Sequence, residues 1–320
     1  MFRAKRLLKT FYRLLLPIVI LIVAATVTSS VWLVQKTSRP QTADYLVTPD
    51  KYGMLSPRGA QVTDEKWSNK DGTTARGWLL RGSQGSPAVM LLHKYGADRS
   101  YELNLGVKLN EATNFTILMP DMRGHGPQPL VEFSSFGGAE ADDVLAALQY
   151  LKGLKSQDQL PLVGQQIGIY GVELGALAGL DAAAKDKSVM SIVLDSVPQD
   201  SNALLASSVN KRYPFASMVT SEIAKLGTKL YYLDGSYTHS TACEAGRSIG
   251  DRRVMLLAGV DASDFQSSTL RLSKCIQGSV GVETKVDLSP SGYSIMSASL
   301  EQSAAYDQRI IDFFRETLGG

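Results

Sequence analysis

The amino-acid sequence predicts an α/β protein with a mostly parallel central sheet, preceded by a helix that spans a membrane. Six short apolar runs have the character of buried parallel strands and alternate with segments of helical periodicity. An antiparallel hairpin precedes them. A hairpin followed by repeated strand and helix units is typical of a sheet with helices on both faces. The six predicted strands are residues 88–92, 116–119, 167–170, 189–194, 254–258 and 282–286.

The hairpin is predicted from two segments in which apolar and polar residues alternate loosely, 61–68 and 73–81. Residues 69–72, Asn-Lys-Asp-Gly, lie between them and favour a turn. The folded part of the chain therefore begins with an antiparallel pair of strands.

Three helices are predicted at 140–154, 174–184 and 306–318. In the first, the spacing of Val144, Leu148 and Leu151 places these side chains on one face. Because the carboxyl ends of parallel strands meet at one edge of a sheet, we expect functional residues in the loops that join strands to helices.

The N-terminal segment has the composition of a membrane anchor. Residues 14–34 contain no charged residue, and at about 1.5 Å per residue they span the hydrocarbon core of about 30 Å. Five basic residues precede them, which predicts that residues 1–13 are cytoplasmic and that the rest of the chain is extracytoplasmic. The alternative is a cleaved signal peptide. The apolar stretch is longer than the usual signal core, which favours the uncleaved, single-pass anchor.

The remaining organisation follows from composition. Residues 35–57 are polar, with scattered Pro and Gly, and predict a tether. Residues 58–320 form the predicted folded domain. Within it, residues 196–251 contain Pro, Ser and Tyr and no long apolar-patterned run except 215–226, which favours a small cap inserted over the sheet.

Charge and cysteine content exclude some classes of function. The net charge is +2, and the basic residues of 1–13 account for it, so the rest of the chain lacks the basic surface of a nucleic-acid binder. The cysteines, Cys243 and Cys275, could oxidise in an exported domain or remain separate buried thiols. No spacing of Cys or His suggests a metal site, and we expect no cofactor.

The most informative motif follows the predicted strand 167–170. Residues 171–175 read Gly-Val-Glu-Leu-Gly and open the predicted helix. This is the layout of a nucleophile elbow, GxSxG, with Glu173 in place of the serine. Gly171 and Gly175 suit it because a strand that turns into a helix within a residue or two leaves no room for side chains beside the central residue.

From this motif outward, the chain resembles the α/β-hydrolase family, in particular its peptidase- and esterase-like branch. Four further segments carry the resemblance in the family's order: 91–96 (LLHKYG), 121–126 (DMRGHG), 140–144 (EADDV) and 192–196 (IVLDS). The resemblance covers about residues 60–200 and, more thinly, the C-terminal strands. It implies an α/β-hydrolase-like sheet, with His93, Lys94, Tyr95 and Leu174 at the oxyanion loop and pocket.

The resemblance also implies a triad of nucleophile, acid and histidine, and the sequence departs from it. Glu173 is at the nucleophile position, where its extra methylene misplaces the carboxylate by ~1 Å relative to an aspartate nucleophile. Asp261 or Asp264 could take the acid's place, and Asp195 is a third choice. Tyr293 lies nearest the position of the triad histidine, but a phenol with a pKa near 10 is a poor base at neutral pH.

No histidine follows the last predicted strand, because the chain contains only His93, His125 and His239. We expect His93 to pack the oxyanion loop and His125 to organise backbone. His239 would have to fold down from the cap to reach Glu173.

Three functions remain open. The first is a non-catalytic, membrane-tethered pseudoenzyme of a bacterial-type envelope that binds a small-molecule ligand or a protein partner. The second is an active hydrolase of ester or peptide bonds that uses Glu173 as nucleophile or base. The third is a structural envelope protein whose pocket has no role. A degenerate triad favours binding over catalysis, since binding can survive the loss of chemistry.

Overall fold

The chain divides into two compact units. The computed structural model describes residues 2–40, 47–214, 217–237, 240–276 and 281–319. One unit comprises Met1–Thr37 with Leu205–Gly235, and the other Ser38–Leu204 with Ser236–Gly320. We call them the helical unit and the sheet unit. The predicted cap, residues 196–251, contributes to both and stays a prediction.

The sheet unit contains one eight-stranded sheet with the order β1-β2-β4-β3-β5-β6-β7-β8. Strands β1 and β2 form the predicted antiparallel hairpin, and β2 also pairs antiparallel with β4. The strands from β3 to β8 are parallel. The bounds are β1 Thr63–Ser68, β2 Thr74–Leu80, β3 Ser86–Leu92, β4 Thr116–Pro120, β5 Val163–Val172, β6 Val189–Asp195, β7 Arg253–Gly259 and β8 Gly281–Leu288.

Each of the six predicted apolar runs lies inside one of the parallel strands, and the mostly parallel sheet is confirmed. The register aligns the carboxyl ends of these strands, with the pairs Leu92 and Gly171, Val172 and Asp195, and Gly259 and Leu288. The residues that follow β3, β5, β6, β7 and β8 therefore meet at one edge of the sheet, where the predicted site residues lie.

Ten helices accompany the sheet in the described residues. Their bounds are α1 Phe2–Ser38, α2 Pro49–Gly53, α3 Leu103–Thr113, α4 Gly138–Gly153, α5 Leu174–Lys185, α6 Ser201–Arg212, α7 Ser217–Tyr231, α8 Ala242–Ser248, α9 Ser263–Cys275 and α10 Leu300–Leu318. Within the predicted tether, α1 continues to Ser38 and α2 forms a short helix, while residues 41–46 lie outside the described part.

Helices cover both faces of the sheet. Side chains alternate along a strand, so neighbouring residues of β5 enter different cores. Tyr170 belongs to a buried cluster with Leu105 of α3 and Phe314 of α10. On the opposite face, a Cβ placed on Gly179 of α5 would lie 2.9 Å from Ile169, so this helix lies directly on the strand. The predicted arrangement of helices on both faces is confirmed.

The C-terminal helix begins six residues before its predicted start at 306. Ser299 caps it, because its Oγ accepts a hydrogen bond from the Gln302 amide at 3.2 Å and the Gln302 side chain accepts one from the Ser299 amide at 3.0 Å. This capping box satisfies two backbone donors and sets the first turn. The apolar period predicts the end of the helix better than its beginning.

A disulfide joins Cys243 of α8 to Cys275 of α9, with their Cα atoms 5.3 Å apart. The two helices pack closely beside it, since a Cβ on Gly246 would lie 2.7 Å from Leu272 Cδ1. The sequence alone left the pairing open, because neither cysteine lies in a motif that fixes a partner. Bonded cysteines are typical of exported proteins.

The helical unit contains α1 and α7. Helix α1 includes a 26-residue segment, Arg13–Ser38, that is long and apolar enough to cross a membrane. Helix α7 packs against it near Ser30, because a Cβ on Gly227 would overlap the Ser30 carbonyl oxygen. Arg212 Nη1 donates to the Lys36 carbonyl oxygen at 2.8 Å at the end of α6.

Candidate functional site

Glu173 occupies a strand-to-helix elbow. Strand β5 ends at Val172 and α5 begins at Leu174, and between them Glu173 has φ 50° and ψ −103°. A residue with a Cβ rarely adopts such a conformation, which persists only where the surrounding structure imposes it. The elbow predicted from residues 171–175 is therefore present in the backbone.

The two elbow glycines are required by close packing. A Cβ on Gly171 would lie 2.5 Å from the Gly175 carbonyl carbon. A Cβ on Gly175 would overlap the Leu92 carbonyl oxygen and lie 2.6 Å from the Leu92 carbonyl carbon. The glycines let α5 approach β3 and β5 directly, and this contact fixes where Glu173 points.

The Glu173 side chain is bound within the site. It is 1% exposed, and its Oε2 accepts a hydrogen bond from the backbone N–H of Tyr95 at 3.0 Å. Tyr95 lies in the loop after β3. In a nucleophile-elbow site, the amide of this loop and the amide of the residue after the nucleophile, here Leu174, bind the oxyanion. A carboxylate of the chain is thus bonded to a predicted oxyanion donor.

His93 supports the loop that carries Tyr95. Its Nε2 accepts a hydrogen bond from the Met122 amide at 3.0 Å, so Nδ1 carries the proton and donates to the Lys94 carbonyl oxygen at 2.8 Å. Burial lowers the pKa of His93 from 6.5 to about 4. The imidazole is neutral at pH 7, and both ring nitrogens are used to hold backbone.

His125 has a similar environment in the loop after β4. It is buried beside His93, with the ring centroids 5.1 Å apart, and its Nδ1 pairs with the Arg123 carbonyl oxygen at 2.8 Å. Burial, followed by the neighbouring His93, lowers the pKa of His125 from 6.5 to about 3. His239 lies outside the described residues.

These two pKa shifts predict a measurable acid sensitivity. In the unfolded chain each histidine takes up a proton near pH 6.5, whereas the folded protein stays neutral down to about pH 3 to 4, so stability is present above pH 6.5 and is lost as the pH falls. We expect His125→Asn, which keeps a donor for the Arg123 carbonyl, to flatten the pH dependence by about 1.4 kcal/mol per pH unit below pH 6.5. Urea unfolding across this range measures it. Parallel curves for the two proteins would contradict the assignment.

The loop around His125 is braced by charge pairs. Arg123 donates to both carboxylate oxygens of Asp143, each at 2.6 Å, and to Asp71 at 3.1 Å. Arg76 Nε donates to Asp121 at 2.8 Å. The charged side chains of the DMRGHG segment therefore form ion pairs that hold the loop after β4 in place.

The predicted acids lie on two loops. Asp261, two residues after the end of β7, accepts hydrogen bonds from the Ser291 amide at 3.2 Å and from Ser291 Oγ at 3.0 Å. Asp264 is exposed in the first turn of α9. Asp261 therefore holds the loop after β8, where the triad histidine would lie.

Asp195, the third choice, is fully buried at the end of β6. It accepts hydrogen bonds from Ser196 Oγ and the Tyr306 hydroxyl, both at 2.6 Å, and from the Gly292 amide at 2.9 Å. Burial raises the pKa of Asp195. The three hydrogen-bond donors act in the opposite direction, because they stabilise the ionised form. Asp195 is thus a second carboxylate that binds the loop after β8.

Tyr293 belongs to that loop and is held against the oxyanion loop. Its carbonyl oxygen accepts hydrogen bonds from Lys94 Nζ at 2.5 Å and from the Tyr101 hydroxyl at 3.0 Å. The Lys94 ammonium also lies 4.5 Å from the centre of the Tyr293 ring. Lys94, Tyr95, Tyr101 and Tyr293 therefore gather at the edge of the sheet where Glu173 lies.

Sequence reasoning missed three tyrosines of the site. Tyr101 binds the backbone at Gly292 and Tyr293, and the hydroxyls of Tyr170 and Tyr306 are 3.1 Å apart beside Asp195. Burial raises the pKa of each well above 10, so they remain protonated donors. Two of them could have been found from the sequence, because Tyr170 lies near the end of a buried strand and Tyr306 lies on the apolar face of α10. Across the described residues, no group of three or more His, Cys, Asp or Glu side chains is arranged to hold a metal ion.

Solved structures with the same architecture are distant in sequence. An esterase of Pyrococcus furiosus is 18% identical, with a TM-score of 0.63 over 88% of this chain and 98% of the esterase. An α/β-hydrolase of a Penicillium species is also 18% identical, with a TM-score of 0.60 over 81% of this chain and 99% of its own. An acylaminoacyl peptidase of Pyrococcus horikoshii is 12% identical, with a TM-score of 0.59 over 83% of this chain and 43% of the peptidase.

No family model and no curated protein matches the chain by sequence. The likeness of the structures is consistent with the strand order and the elbow after β5, and it bears out the resemblance that the sequence motifs indicated. This chain has the α/β-hydrolase fold.

Proposed function

We propose that the protein is a membrane-anchored pseudo-hydrolase, which uses the pocket of the fold to bind a ligand or a partner without hydrolysing it. The observation that carries the proposal is the hydrogen bond from the Tyr95 amide to the Glu173 carboxylate. An oxyanion hole accelerates acyl transfer because its donors await a charge that develops only in the transition state. Here a side-chain oxygen of the protein itself is bonded to one of the donors.

The proton-transfer groups of a hydrolase are also missing from their usual places. The loop after β8 contains no histidine, and Ser291 makes the hydrogen bond to Asp261 that a triad histidine would make. His93 and His125 have low pKa values and bind backbone. A Glu173 nucleophile would form an acid anhydride, whose hydrolysis needs a base to activate water. The described histidines do not supply that base.

One observation favours the alternative, an active hydrolase of ester or peptide bonds. Glu173 keeps φ 50°, the strained backbone of an elbow, and strain of this kind is concentrated at functional sites. Glu173 would then act as nucleophile or base. The same conformation also follows from the packing of Gly171 and Gly175, so binding and catalysis have to be separated by assay.

The test compares wild type with Glu173→Gln and Glu173→Ser on p-nitrophenyl esters and aminoacyl-peptide substrates. We expect the wild type and Glu173→Gln to show the same background rate. Glu173→Ser is expected to gain no esterase activity, because neither of the described histidines, His93 and His125, is free to activate the new hydroxyl. Glu301→Gln, on an exposed carboxyl group of α10, is the matched control. Turnover by the wild type that is lost in Glu173→Gln would refute the pseudo-hydrolase proposal.

Membrane anchoring is the second part of the proposal. Helix α1 supplies one segment long enough to span a bilayer, and only 6% of its most apolar window is buried in the protein. The basic residues that precede it favour an extracytoplasmic sheet unit, and the disulfide suits that oxidising compartment. Resistance of the full chain to alkaline carbonate extraction, at its uncleaved mass, tests the anchor against a cleaved signal sequence.

A further inference from the structure

Helix α7 and the turn after it carry an exposed row of large apolar side chains. Val219, Leu226, Leu230 and Leu233 are exposed by 62%, 64%, 49% and 81%. With the half-buried Ile223, they follow each other at intervals of three or four residues. Those within α7 therefore share one face of the helix, and Leu233 follows in the turn. We call these five residues the apolar stripe.

An exposed stripe of this kind calls for a covering surface. Single exposed apolar residues are common on soluble proteins, but contiguous groups of them mark contacts with a membrane, a ligand or another protein. At 100° per residue, Gly227 lies on one flank of the apolar stripe, and Glu222, Lys225 and Lys229 lie on the other. The flank of Gly227 is the one that packs on α1 at Ser30. The stripe therefore lies between helix α1 and a charged row.

The depth of the α1 contact indicates what covers the stripe. If the hydrocarbon core begins near residue 14, its thickness of about 30 Å is spanned after about 20 residues, close to Leu33. Ser30 then lies within the last turn inside the core, and α7 meets α1 at the boundary with the headgroups. Trp32 is partly exposed there, with its ring 6.1 Å from that of Tyr213. Trp and Tyr are enriched at this level of membrane proteins.

We propose that the apolar stripe of α7 lies in the outer leaflet of the bilayer, so that the helical unit binds lipid through two helices: α1, which spans the membrane, and α7, which lies in its surface. The proposal rests on the membrane anchoring proposed above. Apolar side chains in the acyl region, with lysines beside them at the headgroups, are the arrangement of an interfacial amphipathic helix. Contact of α7 with lipid restricts rotation of the helical unit about the long axis of α1.

The test uses the full chain reconstituted into vesicles of phosphatidylcholine with a minor fraction of phosphatidylglycerol. A single cysteine carrying an environment-sensitive NBD probe replaces Leu226 in the stripe, Ile22 in the middle of the predicted span, or Glu301, exposed on α10. Cys243 and Cys275 are paired and do not compete for the probe. Quenching by nitroxides on lipid acyl chains is then measured for each position.

We expect the probes at 22 and 226 both to show blue-shifted emission and quenching, and the probe at 301 to show neither. Quenching at 22 without quenching at 226 would overturn the stripe proposal and leave the anchor intact. Absence of quenching at 22 would refute the anchor, and the stripe proposal with it. A blue shift at 226 that grows with protein density, without lipid quenching, would identify a second copy of the chain as the covering surface and would also overturn the proposal.

A second variant tests the stripe by charge. The double variant Leu226→Glu, Leu230→Glu carries the probe on a cysteine at position 233 or at position 22. We expect the probe at 233 to lose most of its quenching and the probe at 22 to keep it. Glu222→Gln with Lys229→Gln, on the charged row beside the stripe, is the matched control and leaves the quenching at 233 in place. Unchanged quenching at 233 in the glutamate variant would contradict burial of the stripe in lipid.

Discussion

Gly175→Ala is expected to destabilise the protein by about 3 kcal/mol or more, at or beyond the upper end of the range for overpacked sites. The new methyl group would overlap the Leu92 carbonyl oxygen, and its other near neighbours, the Leu92 carbonyl carbon and Cβ, lie at 2.6 Å. Backbone of a central strand cannot rotate away as a flexible side chain does. The methyl group therefore has to push α5 away from β3.

Urea unfolding of the detergent-solubilised full chain, followed by circular dichroism, measures this loss. Gly153→Ala is the matched control, because no atom from outside its own turn of helix lies within 4 Å of the added Cβ at the end of α4. We expect that control to unfold at the same urea concentration as the wild type or at a slightly higher one, since alanine favours the helix. A Gly175→Ala protein as stable as the control would show that the elbow is loosely packed.

Glu140→Ala is the second change with a large expected effect, a loss of about 3–5 kcal/mol. The buried Glu140 carboxylate accepts hydrogen bonds from the amides of Ser135 at 2.8 Å and Gly137 at 3.0 Å, and from Ser134 Oγ at 2.6 Å. Ser135 Oγ is a fourth donor. Each buried donor left without an acceptor costs about 1–3 kcal/mol, although the hydroxyl groups can turn to other partners.

Thermal unfolding of Glu140→Ala is compared with that of Asp142→Ala, a half-buried carboxylate two residues further along the same helix. We expect Asp142→Ala to stay within about 0.5 kcal/mol of the wild type, the range for substitutions away from such networks. Equal effects of the two changes would mean that the network around Glu140 is replaced by water. A loss that is specific to Glu140 would assign the segment 140–144 a structural role in the loop that precedes α4.

The sheet could be predicted because its strands are buried on both faces. Continuous apolar runs mark such strands, and the bounds of β3 to β8 exceed the predicted runs by one to six residues. Helix α3 was not predicted. Its apolar residues Leu103, Leu105, Val107 and Leu109 alternate along the sequence, which is the period of a strand. Contacts of the folded chain decided its structure, as often happens where local pattern and packing disagree.

The site was predictable where its residues are adjacent in sequence. The elbow needs only residues 171–175, and the absence of a histidine after β8 needs only a count. The partners of these residues could not be predicted, because they lie far along the chain: Glu173 binds the Tyr95 amide across 78 residues, and Asp195 binds the Gly292 amide across 97. Pairing at such separations is set by the register of the sheet.

The bond between Glu173 and the Tyr95 amide has one more consequence. Ester hydrolysis ends with a carboxylate in the active site, and an enzyme turns over only when that product leaves. Glu173 places a carboxylate against an oxyanion donor and joins it covalently to α5, so it cannot diffuse away. In the proposed pseudo-hydrolase, Glu173 therefore has the place of a product that is never released, and a ligand binds beside it.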